Sequence, residues 1–228
     1  MVIVIINSSP RSNGATAKIL TEIRDRLQKQ SDMEVRMVHL AKQKLEFCKG
    51  CCRCYQTGTC FIQDDAEEIS GLIARADGLI VGSPTYASSM TGQMKTLVDR
   101  GHFVMEQLLR GKHTMSVVTY ENADGVSVTK AFNKLFLYSG AILNGSLCFK
   151  VPFGGNPLAN QAVRKKIHGK TDRFLYQLKI GAKGRISDRI LHRLVFHIGI
   201  KPFILRKPEN YAGVLKHWKE RGIDYGAV

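Results

Sequence analysis

The chain has 228 residues, of which 44% are hydrophobic, and carries a formal net charge of +15. That is enough apolar material for a buried core, but no run of about 18 apolar residues exists to make a membrane-spanning helix. The N-terminus, MVIVIINSSPRSNG, lacks the basic region and long apolar stretch of a secretory signal, so a cytoplasmic location is expected, where structural disulfides are disfavoured.

In chain order, Val2–Asn7 reads as a buried strand, short and rich in Val and Ile. Thr16–Gln30 follows with Ile19, Leu20, Ile23 and Leu27 on one helical face. Glu34–Leu40 is a second strand, and a loop with five of the six cysteines comes next. Asp64 and Asp65 read as a helix N-terminus, with Glu67 and Glu68 favoured in its first turn by the helix dipole. That helix runs to about Ala76. Leu79–Gly82 is a third strand, Gly92 to Leu109 a helix, His113–Glu121 a fourth strand, Val126–Tyr138 a helix and Leu143–Val151 a fifth strand.

Strands alternating with helices predict an α/β protein with a parallel sheet covered on both faces. Five such units in about 150 residues suit a flavodoxin-like doubly wound fold, residues 1–155. Residues 156–228 form a basic, mainly helical C-terminal extension. The charge is uneven: residues 151–228 carry a net +11 and residues 1–150 a net +4. The segment RISDRILHRLVFHIGI is amphipathic and basic, suited to packing on its own domain or a twin subunit, or to an anionic membrane surface.

In a doubly wound sheet, ligands bind beyond the carboxyl ends of the strands. The first such loop, NSSPRSNGAT, leads into a helix whose N-terminal amides attract anions. Ser8, Ser9, Ser12 and Thr16 offer hydroxyls, Arg11 a charge and Gly14 close backbone approach. No Gly-Lys-Ser/Thr and no G-x-G-x-x-G follows, so a mononucleotide phosphate fits better than a nucleoside triphosphate or a dinucleotide. In the second loop, GSPTYASSMTGQMK, Tyr86 presents an aromatic face, and Ser88, Ser89 and nearby amides can bond a heterocycle. Residues 119–126 form the third loop of the set.

SSPRSNGAT, the run C-x2-C-x2-C-x5-C-x3-DD and SPTYASSMTGQMKTLVDR together resemble the NAD(P)H-dependent FMN reductases of the flavodoxin superfamily. The cysteine spacing is similar to that of the iron–sulfur flavoproteins in that group. The resemblance covers roughly residues 2–150, and the closing HWKERGI resembles the tail of many such proteins. It implies non-covalent FMN, with Ser9, Arg11, Asn13, Gly14 and Thr16 around the phosphate. Pro84, Thr85, Tyr86, Ala87 and Ser88 would lie along the isoalloxazine and ribityl chain. The third loop, TYENADGVSV, departs from the family in lacking a Gly-rich run.

Cys48, Cys51, Cys54 and Cys60 are in register for a four-iron cluster, with Cys52 outside it and Lys49 and Arg53 positioned to offset negative charge. The last spacing and the following Phe61 differ from the bacterial ferredoxin run. A four-thiolate zinc site, reduced or redox-active thiols without metal, and a disulfide staple are the competing readings.

The expected function is an oxidoreductase passing electrons from NAD(P)H through FMN, by way of the cluster if it is present, to an acceptor. One rival is an electron carrier fed by ferredoxin without nicotinamide turnover, the basic surface steering an acidic donor. Another is a basic binding protein for nucleic acid or anionic membrane, although no nucleic-acid motif is present. A homo-oligomer is expected by analogy with flavodoxin-like reductases.

Overall fold

In the computed structural model, which describes residues 1–224, five parallel strands form one sheet in the order β2-β1-β3-β4-β5. They are β1 (Val2–Asn7), β2 (Glu34–His39), β3 (Gly78–Pro84), β4 (His113–Tyr120) and β5 (Ile142–Lys150). Every residue of β3 is buried, as expected for a strand covered on both faces. The edge strand β2 is partly exposed.

Alternation along the strands divides the core. Val4, Ile6, Leu79 and Val81 face one way, against α3 (Asp65–Arg75), α4 (Gly92–Arg100) and α5 (Gly125–Tyr138). Ile3, Ile5 and Ile80 face the other way, against α1 (Ala15–Gln28) and α6 (Gln161–Lys179). Thus α6, although it follows residue 155, supplies Ile167, Phe174 and Leu178 to the core of the sheet. Arg26 of α1 clasps Asp172 of α6 through two bonds of 2.6 Å.

The short α2 (Arg53–Thr57) lies within the cysteine segment. After α6 come α7 (Ile186–Leu194), a π turn at Val195–Ile200 and α8 (Lys201–Leu205) in one continuous run, followed by α9 (Ala212–Glu220). Pro202 has no N–H to give the preceding turn, which accounts for the wider winding there. Phe196, Ile200, Ile204, Val214 and Trp218 make a third, smaller core. Ile186, Ile190, Leu194 and Ile198 stay exposed along the run.

One helix is shorter than its sequence suggests. The reading of Gly92 to Leu109 as one helix is corrected: α4 stops at Arg100. His102 turns left-handed (φ 59°), and its ring is drawn onto Glu67 and Glu106 instead of continuing the helical face. Polar tertiary bonds outweigh the local propensity there.

Candidate functional site

A cleft of about 730 Å³ opens at the carboxyl ends of β1, β3, β4 and β5. It gathers Ser9, Arg11, Asn13, Gly14 and Thr16 from the first loop with Pro84, Thr85, Tyr86, Ala87 and Ser88 from the second. Gly14 precedes α1 without any side-chain cap, so the first amides of that helix face the cleft without side-chain partners. By contrast, α3, α4 and α6 are capped by Asp64, Thr91 and Asn160.

The polar side chains divide into builders and donors. Ser9 Oγ donates to the Arg11 carbonyl (3.1 Å) and accepts from the Arg11 amide (3.3 Å), closing the turn. The Thr16 hydroxyl bonds Thr119 Oγ1 at 2.7 Å, tying the first loop to the end of β4. Arg11 and Asn13 are exposed, and the Arg11 guanidinium rests over the Phe153 ring, 5.2 Å from its centroid.

The second loop is folded tightly. Tyr86 and Ser89 exchange backbone bonds of 2.9 and 3.0 Å, and Ala87 and Ser88 between them have left-handed φ values of 45° and 62°. Ser88 Oγ donates to Asp124 in the third loop (2.5 Å). Thr119–Asp124 and Val151–Gly155 complete the wall. Phe153, 79% exposed at the rim, is the residue sequence reasoning missed. Its signal was topological: the loop after β5 lies at the same end of the sheet as the other three.

The cysteine segment forms a second polar centre. Asp64 caps α3 through the Ala66 amide (3.1 Å) and accepts the Glu46 amide (2.7 Å), while Asp65 accepts the Lys44 amide (2.7 Å). The two ends of the segment are thereby pinned together. Buried Arg100 pairs with Asp64 and donates to the carbonyls of Glu46 (2.9 Å) and Ile62 (3.3 Å) and to Cys60 Sγ (3.5 Å). Lys49 and Arg53 both sit over the Phe61 ring, 5.9 and 5.4 Å from its centroid.

Cys48 and Cys51 are exposed, Cys54 and Cys60 half-buried. Burial, then the charges of Glu106, Cys60, Cys48 and Cys51, push the Cys54 thiol up to about 11. Cys48, Cys51 and Cys60 thus lie close enough to Cys54 for their charges to act on it. Among the described residues the sulfurs are not drawn into a ready-made metal cage, since no group of three or more His, Cys, Asp or Glu side chains is so arranged. None of the six cysteines is in a disulfide.

Behind the cysteines lies a network that the sequence did not reveal. Glu106, fully buried, bonds His102 (2.5 Å) and His217, and His102 also reaches Glu67 (3.2 Å). Glu67 in turn accepts the Cys60 amide (3.3 Å). Helix α9 brings His217, and it docks so closely that a Cβ on Gly213 would lie 2.0 Å from the Gly58 amide nitrogen. The tail motif thus closes over the cysteine segment.

A doubly wound sheet with an anion-seeking helix N-terminus and an aromatic-rimmed cleft defines a flavin-binding protein of flavodoxin type. The chain belongs to the NADPH-dependent FMN reductase family, whose model matches residues 1–155, and it is an FMN-dependent oxidoreductase. It is 36% identical over 225 residues to an iron-sulfur flavoprotein of Clostridioides difficile (strain 630), covering 98% of this chain and all of that one. An iron-sulfur flavoprotein of Archaeoglobus fulgidus is 37% identical over 124 residues, about half of each chain. Among solved structures, an apo NADH:FMN oxidoreductase superimposes with a TM-score of 0.60 at 22% identity, covering 82% of this chain and 93% of that one. Flavodoxin 1 from Bacillus cereus does so at 0.56 and 15% identity, covering 77% and 98%.

Proposed function

We propose that FMN occupies the cleft with its phosphate at the N-terminus of α1, and that a nicotinamide supplies the electrons. The observation that carries this reading is the uncapped start of α1 facing Arg11, Asn13 and the second loop across one continuous cleft. The donor set suits a mononucleotide: backbone N–H groups and Arg11 for the phosphate, and the Pro84–Ser88 backbone with Tyr86 for the ring and ribityl chain. When bound, FMN supplies hydride acceptance from a nicotinamide and onward transfer of electrons. The protein's part is to bind, to orient and to leave one face of the cleft open beside Tyr86 and Phe153. Anaerobic oxidation of NADPH by FMN-loaded protein, followed at the nicotinamide absorbance, tests it. Absence of turnover with both NADPH and NADH refutes the nicotinamide step.

We propose further that Cys48, Cys51, Cys54 and Cys60 hold a four-iron cluster, which would supply one-electron steps. The support is their spacing, their mutual influence at Cys54, and the full-length relative's name. The chemistry of four thiols beside the cations Arg100, Lys49 and Arg53 fits a cluster of net negative charge, and binding has to gather the exposed Cys48 and Cys51. Iron and labile sulfide after anaerobic purification test this assignment. The exposed thiols and the basic surface also favour a redox protein with an acidic face, such as ferredoxin, as the exchange partner.

A further inference from the structure

A second concavity, of about 700 Å³, shares no residue with the flavin cleft. Its floor is β5 at Asn144–Ser146, and its walls are α5, α6 and the segment leading into α7. Val151 at the cleft comes five positions after Ser146, which at about 3.3 Å per residue is roughly 16 Å.

Four cations converge on it: Lys170 and Arg173 from α6, and Lys183 and Arg185 from the following segment. Asp188 is the carboxylate on its lining. Other cations of α6 serve the fold: Arg164 pairs with Glu22 and Lys179 with Asp32. Lys170, Arg173, Lys183 and Arg185 make no side-chain hydrogen bond or ion pair with any described residue. Burial, then the nearby charges of Arg173, Arg185 and Lys166, push the Lys170 ammonium below its ordinary range.

Gly145 is left-handed (φ 98°), a conformation that favours glycine, and without a Cβ it leaves room for the Lys170 ammonium above the strand. The β4–β5 register shifts at this point, between Thr114 and Ser116. Side chains beside it are already ordered: Asn144 donates to Gln177 (2.8 Å), and Ser146 donates to Asn133 (3.1 Å).

From the free cations and the glycine-floored cavity, we propose a binding site for a small polyanion carrying a diphosphate group, independent of the flavin site. Four cations spread over this volume exceed what a single phosphate needs, and two are guanidinium forks suited to paired oxygens. Their gathering in a concavity, not along a stripe, selects a small molecule over a nucleic-acid strand.

The test is calorimetric titration of inorganic pyrophosphate into FMN-loaded protein at low salt, where the flavin cleft is already filled. One site per chain is expected, with affinity falling as salt rises. Lys170→Gln and Arg173→Gln should each weaken it at least tenfold, while Lys165→Gln, on the same helix outside the cavity, leaves it unchanged. Flavin absorption should be unaltered in all three and melting temperature should not fall, because none of these side chains has a hydrogen bond or ion pair to lose. No saturable binding at millimolar pyrophosphate overturns the proposal. So does an equal loss with Lys165→Gln, or binding of a 20-nucleotide strand that pyrophosphate does not displace.

Discussion

The cleft at the strand ends and the cysteine segment are built in opposite ways. The cleft is assembled by strand ends, and its main donor is the backbone of a helix start, present whether or not a ligand is bound. The cysteine segment has fixed ends, pinned by Asp64, Asp65 and Arg100, and an open middle in which Cys48, Cys51 and Cys52 face solvent. A fold can pre-organise amides at no extra cost, since the helix makes them. Four thiolates brought together without a cation would repel, and burial, then the charge of Glu106, already push the Cys54 thiol up. If the segment takes up the proposed cluster, closure of that middle is coupled to binding it.

The largest effect that separates the two regions is a serine scan. Cys54→Ser is expected to abolish iron incorporation while leaving flavin absorption intact, and Cys52→Ser is expected to retain iron. Iron analysis beside the visible spectrum after anaerobic reconstitution reads both. Equal iron loss in the two variants breaks the assigned register, and flavin loss in Cys54→Ser breaks the independence of the regions.

Next in size is the support behind the cysteines. Burial opposes a charged His102, but the bonds to Glu106 and Glu67 win and push it up to about 9 from an ordinary 6.5. A raised folded value means stability fully present below pH 6.5 and lost as pH rises through 9. The shift corresponds to about 3 kcal/mol. His102→Gln should lower the melting temperature at pH 6 and flatten its fall between pH 6.5 and 9.5. An unchanged slope in the variant assigns that fall to another group.

The two regions also differed in how much of them the sequence disclosed. The sheet and its loops were legible because strand and helix periods are local and because binding at strand carboxyl ends follows from topology. Asp64 as a cap was legible for the same local reason. Phe153, the Glu106 network and the docking of α9 on Gly58 were not, because each joins residues far apart in the chain. Glu106 lies in a stretch that looked helical, and His217 in a tail recognised by likeness alone. The end of α4 was hidden for that reason too: His102 is pulled out of the helix by partners 35 residues away and 4 residues ahead.

A moderate effect tests the cleft. Arg11 has its guanidinium exposed on the Phe153 ring, ready to meet an anion. A bond to a charged group is worth about 1.5–3 kcal/mol, so Arg11→Gln should weaken FMN about 10- to 100-fold. Phe153→Ala should weaken it less, by removing the perch and not the charge. Fluorescence titration with FMN measures both; a larger loss for Phe153→Ala would make the ring, not the guanidinium, the principal contact.

The smallest effect tests whether the cleft's rigidity costs stability. Ala87 has φ 45°, where a Cβ is penalised and glycine is not. The loop holds it there because Tyr86 and Ser89 close a two-residue turn around it and Ser88 is tied to Asp124. Ala87→Gly should therefore stabilise the FMN-free protein by up to about 1 kcal/mol. It should leave FMN affinity within about threefold, because the backbone donors stay in place. If the variant instead destabilises the apo protein, the entropy returned to the unfolded chain exceeds the relief of strain. The conformation of the second loop is then maintained by the fold and not imposed against it, and the contrast with the open cysteine segment becomes sharper.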